Sequence, residues 1–128
     1  MGDRSQVAVK MNDSEGSKVY LYSHWGGTSV YFAVQAALSL NERWDDPEYL
    51  ARMIFCRMVE ADLIGATGFG IGTQAHGDIE HLIPVLDCRG KTISFECPEF
   101  LRKYRHIPDD WITFEDFLAL DEETFSKW

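Results

Sequence analysis

The hydrophobic pattern of this chain changes period in a definite order, and that order constrains its fold more than any other feature. Residues 6–11 alternate, with Val7, Val9 and Met11 on one face, and Asn12-Asp13-Ser14-Glu15-Gly16-Ser17 then supplies turn chemistry. Val19, Leu21 and Ser23 share one face of a second strand, and Tyr20, Tyr22 and His24 the other. Apolar bulk on both faces predicts that this strand sits inside a sheet. Gly26-Gly27-Thr28-Ser29 breaks it, and the spacing of Val30, Val34, Ala37 and Leu38 predicts a helix over 30–42. A second helix opens at Asp46 as N-cap with Pro47 in the first position, and buries a stripe of Leu50, Ile54, Met58 and Ala61. Met53 and Phe55 widen that stripe, and Gly65 is the expected C-terminal cap.

Strand patterns return over 68–74, 82–87 and 91–96, the last two as a hairpin around Cys88-Arg89-Gly90. Pro84 predicts an exposed edge or a bulge in the middle one, because proline donates nothing to a ladder. Beyond Cys97 come a basic cluster (Arg102, Lys103, Arg105, His106), a turn at Pro108-Asp109-Asp110, and a capping-box-like Thr113-Phe114-Glu115-Asp116. A short helix there should dock Phe114, Phe117, Leu118 and Leu120 on the body, with Trp128 at the terminus. The order ββααβββα predicts an α+β fold, a mainly antiparallel sheet with helices packed on one face. The expected organisation is a single domain over 1–128, with a body at 1–96 and a C-terminal extension at 97–128.

A formal net charge of -9 excludes direct nucleic-acid binding as an expected function, since a phosphate backbone is held by clustered Lys and Arg. It leaves room for a small anion held by a local arginine, and for an acidic surface that imitates nucleic acid toward a basic protein. No apolar run reaches the ~20 residues that cross a membrane, so no membrane association is expected. The polar start Met1-Gly2-Asp3-Arg4-Ser5 predicts no signal peptide, and Gln6 stands where myristoylation wants Ser or Thr; a cytoplasmic location is expected. Cys56, Cys88 and Cys97 match no disulfide framework and are expected as reduced, mostly buried thiols, with Cys56 on or near the apolar stripe.

Two segments stand out as a site. Val19–Gly27 ends in His24-Trp25-Gly26-Gly27, where glycines leave the backbone open beside a histidine that can act as base or donor. Gly65–Thr73 is extended, with Thr67 and Thr73 hydroxyls, Gly68 and Phe69, but it is neither a Walker loop nor a dinucleotide fingerprint. Hairpin pairing of the first two strands carries Arg4 toward Ser23–Trp25, where it serves either anion recognition or an ion pair with an acidic neighbour. His76, Asp78, Glu80 and His81 match no zinc spacing, no nucleophile elbow is present, and neither metal nor cofactor is expected. Among the carboxylates, only Glu115, Asp116, Asp121, Glu122 and Glu123 are dense enough to suggest an acidic contact surface.

Gly2-Asp3-Arg4-Ser5, Tyr22-Ser23-His24-Trp25-Gly26-Gly27, Arg43-Trp44-Asp45-Asp46, Tyr49–Phe55 and Thr67-Gly68-Phe69-Gly70-Ile71 together resemble a family of small uncharacterised proteins encoded by bacteriophages and prophages. The resemblance spans residues 2 to about 96, is most specific at HWGG, and departs from the pattern at Gln6, where asparagine is expected. It implies a phage accessory role such as counter-defence in a host cytoplasm, and places Asp3, Arg4, His24, Gly26, Gly27, Arg52, Thr67 and Gly68 at a site.

Three functions follow as expectations. The first is a non-catalytic binder, built as a homo-oligomer, that sequesters a small anionic, nucleotide-like ligand at Arg4, His24, Trp25, Gly26, Gly27, Thr67, Gly68 and Phe69. The second is an acidic inhibitor of a host defence protein. The third is a small hydrolase using His24 with Asp3 or Asp87.

Overall fold

Two strands fold back on each other at the start of the chain, β1 (Ser5–Lys10) and β2 (Lys18–Ser23), in the antiparallel register Val7↔Leu21 and Val9↔Val19. The structure is a computed structural model that describes residues 2–105, 107–108 and 110–128; His106 of the basic cluster and Asp109 of the turn lie outside the described residues. After two helices, α1 (Ser29–Ser39) and α2 (Pro47–Val59), come β3 (Phe69–Gly72), β4 (Ile83–Asp87) and β5 (Thr92–Glu96). A 3-10 turn at Glu99–Leu101, β6 (Ile112–Thr113), α3 (Phe114–Leu118) and α4 (Glu122–Phe125) complete the chain. The fold is α+β. Its six strands form one sheet in the order β3-β2-β1-β4-β5-β6, antiparallel throughout except for β1 against β4.

The alternation read along β1 and β2 separates two faces. Val7, Val9, Leu21, Leu86 and Ile93 point toward the helices, where Val30, Val34, Leu38, Leu50 and Ile54 close the main core. Ala8, Tyr20, Ile83 and Val85 point the other way and pack with Ile79 from the connection before β4. Burial on both faces suits β1 and β2 to the interior of the sheet. The four expected positions of α1 are buried, and Asp46 caps α2 by accepting from the Tyr49 N–H, with Pro47 in the first turn.

Some expectations change. Helix α1 stops at Ser39, where the chain turns through Asn41 at φ 52°. Helix α2 stops at Val59, which leaves Ala61 exposed and removes Gly65 from any capping role. Cys56 projects to solvent from α2, whereas Cys88 is buried. Pro84 sits in an interior strand. It precedes Val85, the first residue paired with β1, so the ring falls where the parallel ladder has not yet begun.

The C-terminal segment joins the main core. Thr113 caps α3 by accepting from the Asp116 N–H at 3.0 Å, and Phe114, Phe117, Phe125 and Trp128 are buried under α1. Trp128 lies 4.7 Å from Phe95 and 5.4 Å from Tyr31 between ring centroids, and its carbonyl accepts from the Leu82 N–H.

Candidate functional site

The hairpin brings residues 2–4 and 22–27 together at one end of the sheet. Asp3 N–H donates to the His24 carbonyl (2.8 Å), Gly27 N–H to the Asp3 carbonyl (2.9 Å), and His24 N–H to the Gly68 carbonyl (2.8 Å). Arg4, His24, Trp25, Gly26, Gly27 and Gly68 therefore lie on one connected stretch of backbone. Phe69 continues it as the partner of Ser23 in the β2–β3 ladder, and Thr67 is exposed just before it.

Two glycines here are dictated by geometry. Gly27, at φ 53°, has the Asp3 carboxylate where a Cβ would stand. Gly68, at φ 101°, has the Trp25 indole 2.9 Å from that position, so Cζ3 and Cε3 of the ring fill the space a side chain would need. Trp25 is 58% exposed and meets His24 edge to face at 4.7 Å.

His24 is held by Tyr22, whose hydroxyl lies 2.8 Å from its Nδ1. Burial raises the Tyr22 pKa, as do the charges of Asp78 and Glu80, with Arg4 opposing them. The phenol and Nδ1 share one hydrogen bond, whose donor depends on the imidazole tautomer, and Nε2 lies beside Gly2.

A third segment completes the site. The connection from β3 to β4 folds back over the second face, held by Gln6, whose amide donates to the Gln74 carbonyl (3.3 Å) and accepts from the His76 N–H (2.9 Å). His76 stacks on Tyr22 at 4.7 Å, and His81 Nε2 lies 2.6 Å from Asp3 Oδ1. Arg4 reaches the same connection: its Nε lies 3.2 Å from Asp78 Oδ2 and its Nη2 3.3 Å from Glu80 Oε1. Three of the chain's four histidines thus meet three carboxylates and one arginine. The sequence places His76 and His81 in a loop, as metal candidates that match no zinc spacing, and gives Gln6 no structural part. A buried amide opening an otherwise apolar strand was the one signal that something must fold over it.

The arrangement limits the chemistry. Arg4 is the ion-paired arginine of the two alternatives. In the glycine turn, the N–H groups of Gly26, Gly27 and Ser29 already donate within the protein, which leaves little of an anion cradle. Gly26 donates to Ser23 Oγ, Gly27 to Asp3, and Ser29, Val30 and Tyr31 to the carbonyls three residues back. Asp3 pairs with His81, leaving His24 to Tyr22, and Asp87 faces Lys10 at the far end of β1, so neither carboxylate orients His24 as a base. Among the described residues no group of three His, Cys, Asp or Glu is disposed to hold a metal ion, and no helix is long and apolar enough to cross a membrane. The C-terminal carboxylates have local employment: Asp121 caps α4, and Glu115 and Asp116 lie in the first turn of α3.

No family model matches the chain, and no curated protein or solved structure matches it. The fold and site define an α+β protein that presents an exposed tryptophan and a rim of carboxylates at one end of its sheet.

Proposed function

We propose that this protein is a non-catalytic binding protein that docks a basic protein surface at the Trp25 end of its sheet. The observation that carries this reading is the pairing of Arg4 with Asp78 and Glu80, which ties up that arginine where the three carboxylates Asp3, Asp78 and Glu80 outnumber it. Asp78 is 62% and Asp3 56% exposed on their side chains, and the Trp25 indole is 58% exposed. A lysine or arginine meets both attractions there, cation–π with the indole and charge with the carboxylates. The net charge of -9 favours the same kind of partner by long-range attraction. Between the two binding functions read from the sequence, this supports the acidic interaction protein over the binder of a small nucleotide-like anion, which would have to draw Arg4 away from two carboxylates. The likeness to phage-encoded proteins supports a host protein, a defence component among them, as the partner.

A lysine- and arginine-rich peptide titrated into the protein at low salt, followed by two-dimensional amide NMR, tests this. The expected result is a response centred on the Trp25 indole N–H and residues 3, 24 and 78, weakened about tenfold by Trp25→Ala or Asp78→Asn and little affected by Arg4→Ala. A response at the same residues to inorganic phosphate or ATP, lost in Arg4→Ala, would return the site to the small-anion reading.

A further inference from the structure

Strand β3 closes the sheet on one side with a bare edge. Among the described residues it pairs with β2 alone, so the outer row of its N–H and C=O groups faces away from the sheet. Proteins blunt such edges with lysines, prolines or bulges, and β3 (Phe-Gly-Ile-Gly) carries none of these. No Asp, Glu, Lys or Arg occurs between Asp62 and Asp78, in a chain where 26% of residues are charged. That neutral run also holds Leu63, Ile64 and Ile71, which are 73%, 94% and 65% exposed. Ile71 pairs with Leu21 and so points to the helix side, where it lines a 330 Å³ apolar groove with Val19, Ala51 and Phe55. Glu48 and Arg52, one turn apart on α2, border the same groove.

We infer that the β3 edge docks a second copy of this chain, antiparallel across a two-fold axis, to make one continuous twelve-stranded sheet. The charges choose this occupant. A two-fold axis beside β3 sets the two α2 helices antiparallel on the same face of the joined sheet, which carries each copy's Glu48 toward the other's Arg52. A single-sign border would repel its own copy; one acid and one base a turn apart complement it. The neutral run keeps the remaining negative charge of both copies away from the contact, and the two Ile71 and Phe55 pairs cover the groove. This contact is separate from the Trp25 patch and stands or falls independently of it.

Sedimentation velocity of the purified protein over a range of micromolar concentrations tests it. The expected species is a dimer of twice 14.7 kDa. Ile71→Lys should give monomer, Arg52→Glu should raise the dissociation constant about tenfold, and Glu48→Arg combined with Arg52→Glu should restore it. Circular dichroism and melting temperature confirm that each variant is folded; should Ile71→Lys fail to fold, the α2 charge swap decides alone, since both of its positions are solvent-exposed. A monomer at every concentration overturns the proposal and leaves the edge to a strand from a different protein. A dimer indifferent to all three variants overturns it too, by placing self-association elsewhere.

Discussion

Gly68 shows how one residue ties conformation to presentation. Its φ of 101° excludes a side chain on backbone grounds, and the Trp25 ring above it excludes one on steric grounds. Gly68→Ala should therefore destabilise the fold by about 1–3 kcal/mol, read from urea unfolding. In a Trp25→Ala background the cost should shrink, since only the backbone part is left; an unchanged cost would mean that the indole does not rest on that glycine. Arg4 shows the opposite lesson. Its position beside β2 follows from hairpin pairing and was legible, whereas its partners arrive from a connection more than 70 residues away. No local pattern in Gly2–Ser5 distinguishes an arginine awaiting an anion from one already paired.

At the level of elements, legibility follows local chemistry. Helices α1 and α2 could be read because their apolar spacing is long, and α2 also carries an N-cap and a proline where helices accept them. The end of α2 could not, because Ala61 continues the apolar stripe in a segment where tertiary contacts do not. Strand β6 has two residues and α4 has four, too few for any period to register. Yet those short pieces close the main core. Trp128 is only 7% exposed and touches Tyr31, Phe95, Phe117 and Phe125. Trp128→Ala should cost about 3–5 kcal/mol by calorimetry or urea unfolding. A loss under 1 kcal/mol, the size expected for a surface contact, would show that the C-terminal segment is an appendage rather than part of the core.

The whole molecule carries a pH dependence set by groups buried in neutral form. Burial, reinforced by Asp87, Asp46 and Asp45 against the opposing charge of Lys91, pushes the Cys88 thiol up to about 12 from 9.0. Burial also raises Tyr20, with help from its hydrogen bond to Glu96, and Tyr31, whose hydroxyl donates to the Leu82 carbonyl. A group whose folded pKa lies above its unfolded value contributes fully below the unfolded value and loses that contribution as pH rises toward the folded one. Stability should therefore hold up to about pH 9 and fall progressively from there toward 12, with Cys88 titrating first and the tyrosines from about 10. Melting temperatures at pH 8 and 10 check it: Cys88→Ala should flatten the decline, and an equal decline in that variant would assign it to other groups. By itself, the sequence determined the α+β class, the interior position of β2, the two long helices and the end of the sheet at which the glycines and His24 gather. Each of these follows from period, capping or hairpin register, which act over a few residues. Only the tertiary structure decided that β1 pairs in parallel with β4, that the C-terminal aromatics complete the core, and that the β3–β4 connection supplies Arg4 with its carboxylates. Those contacts join segments far apart in the chain, and their geometry depends on what else must be buried at the same time.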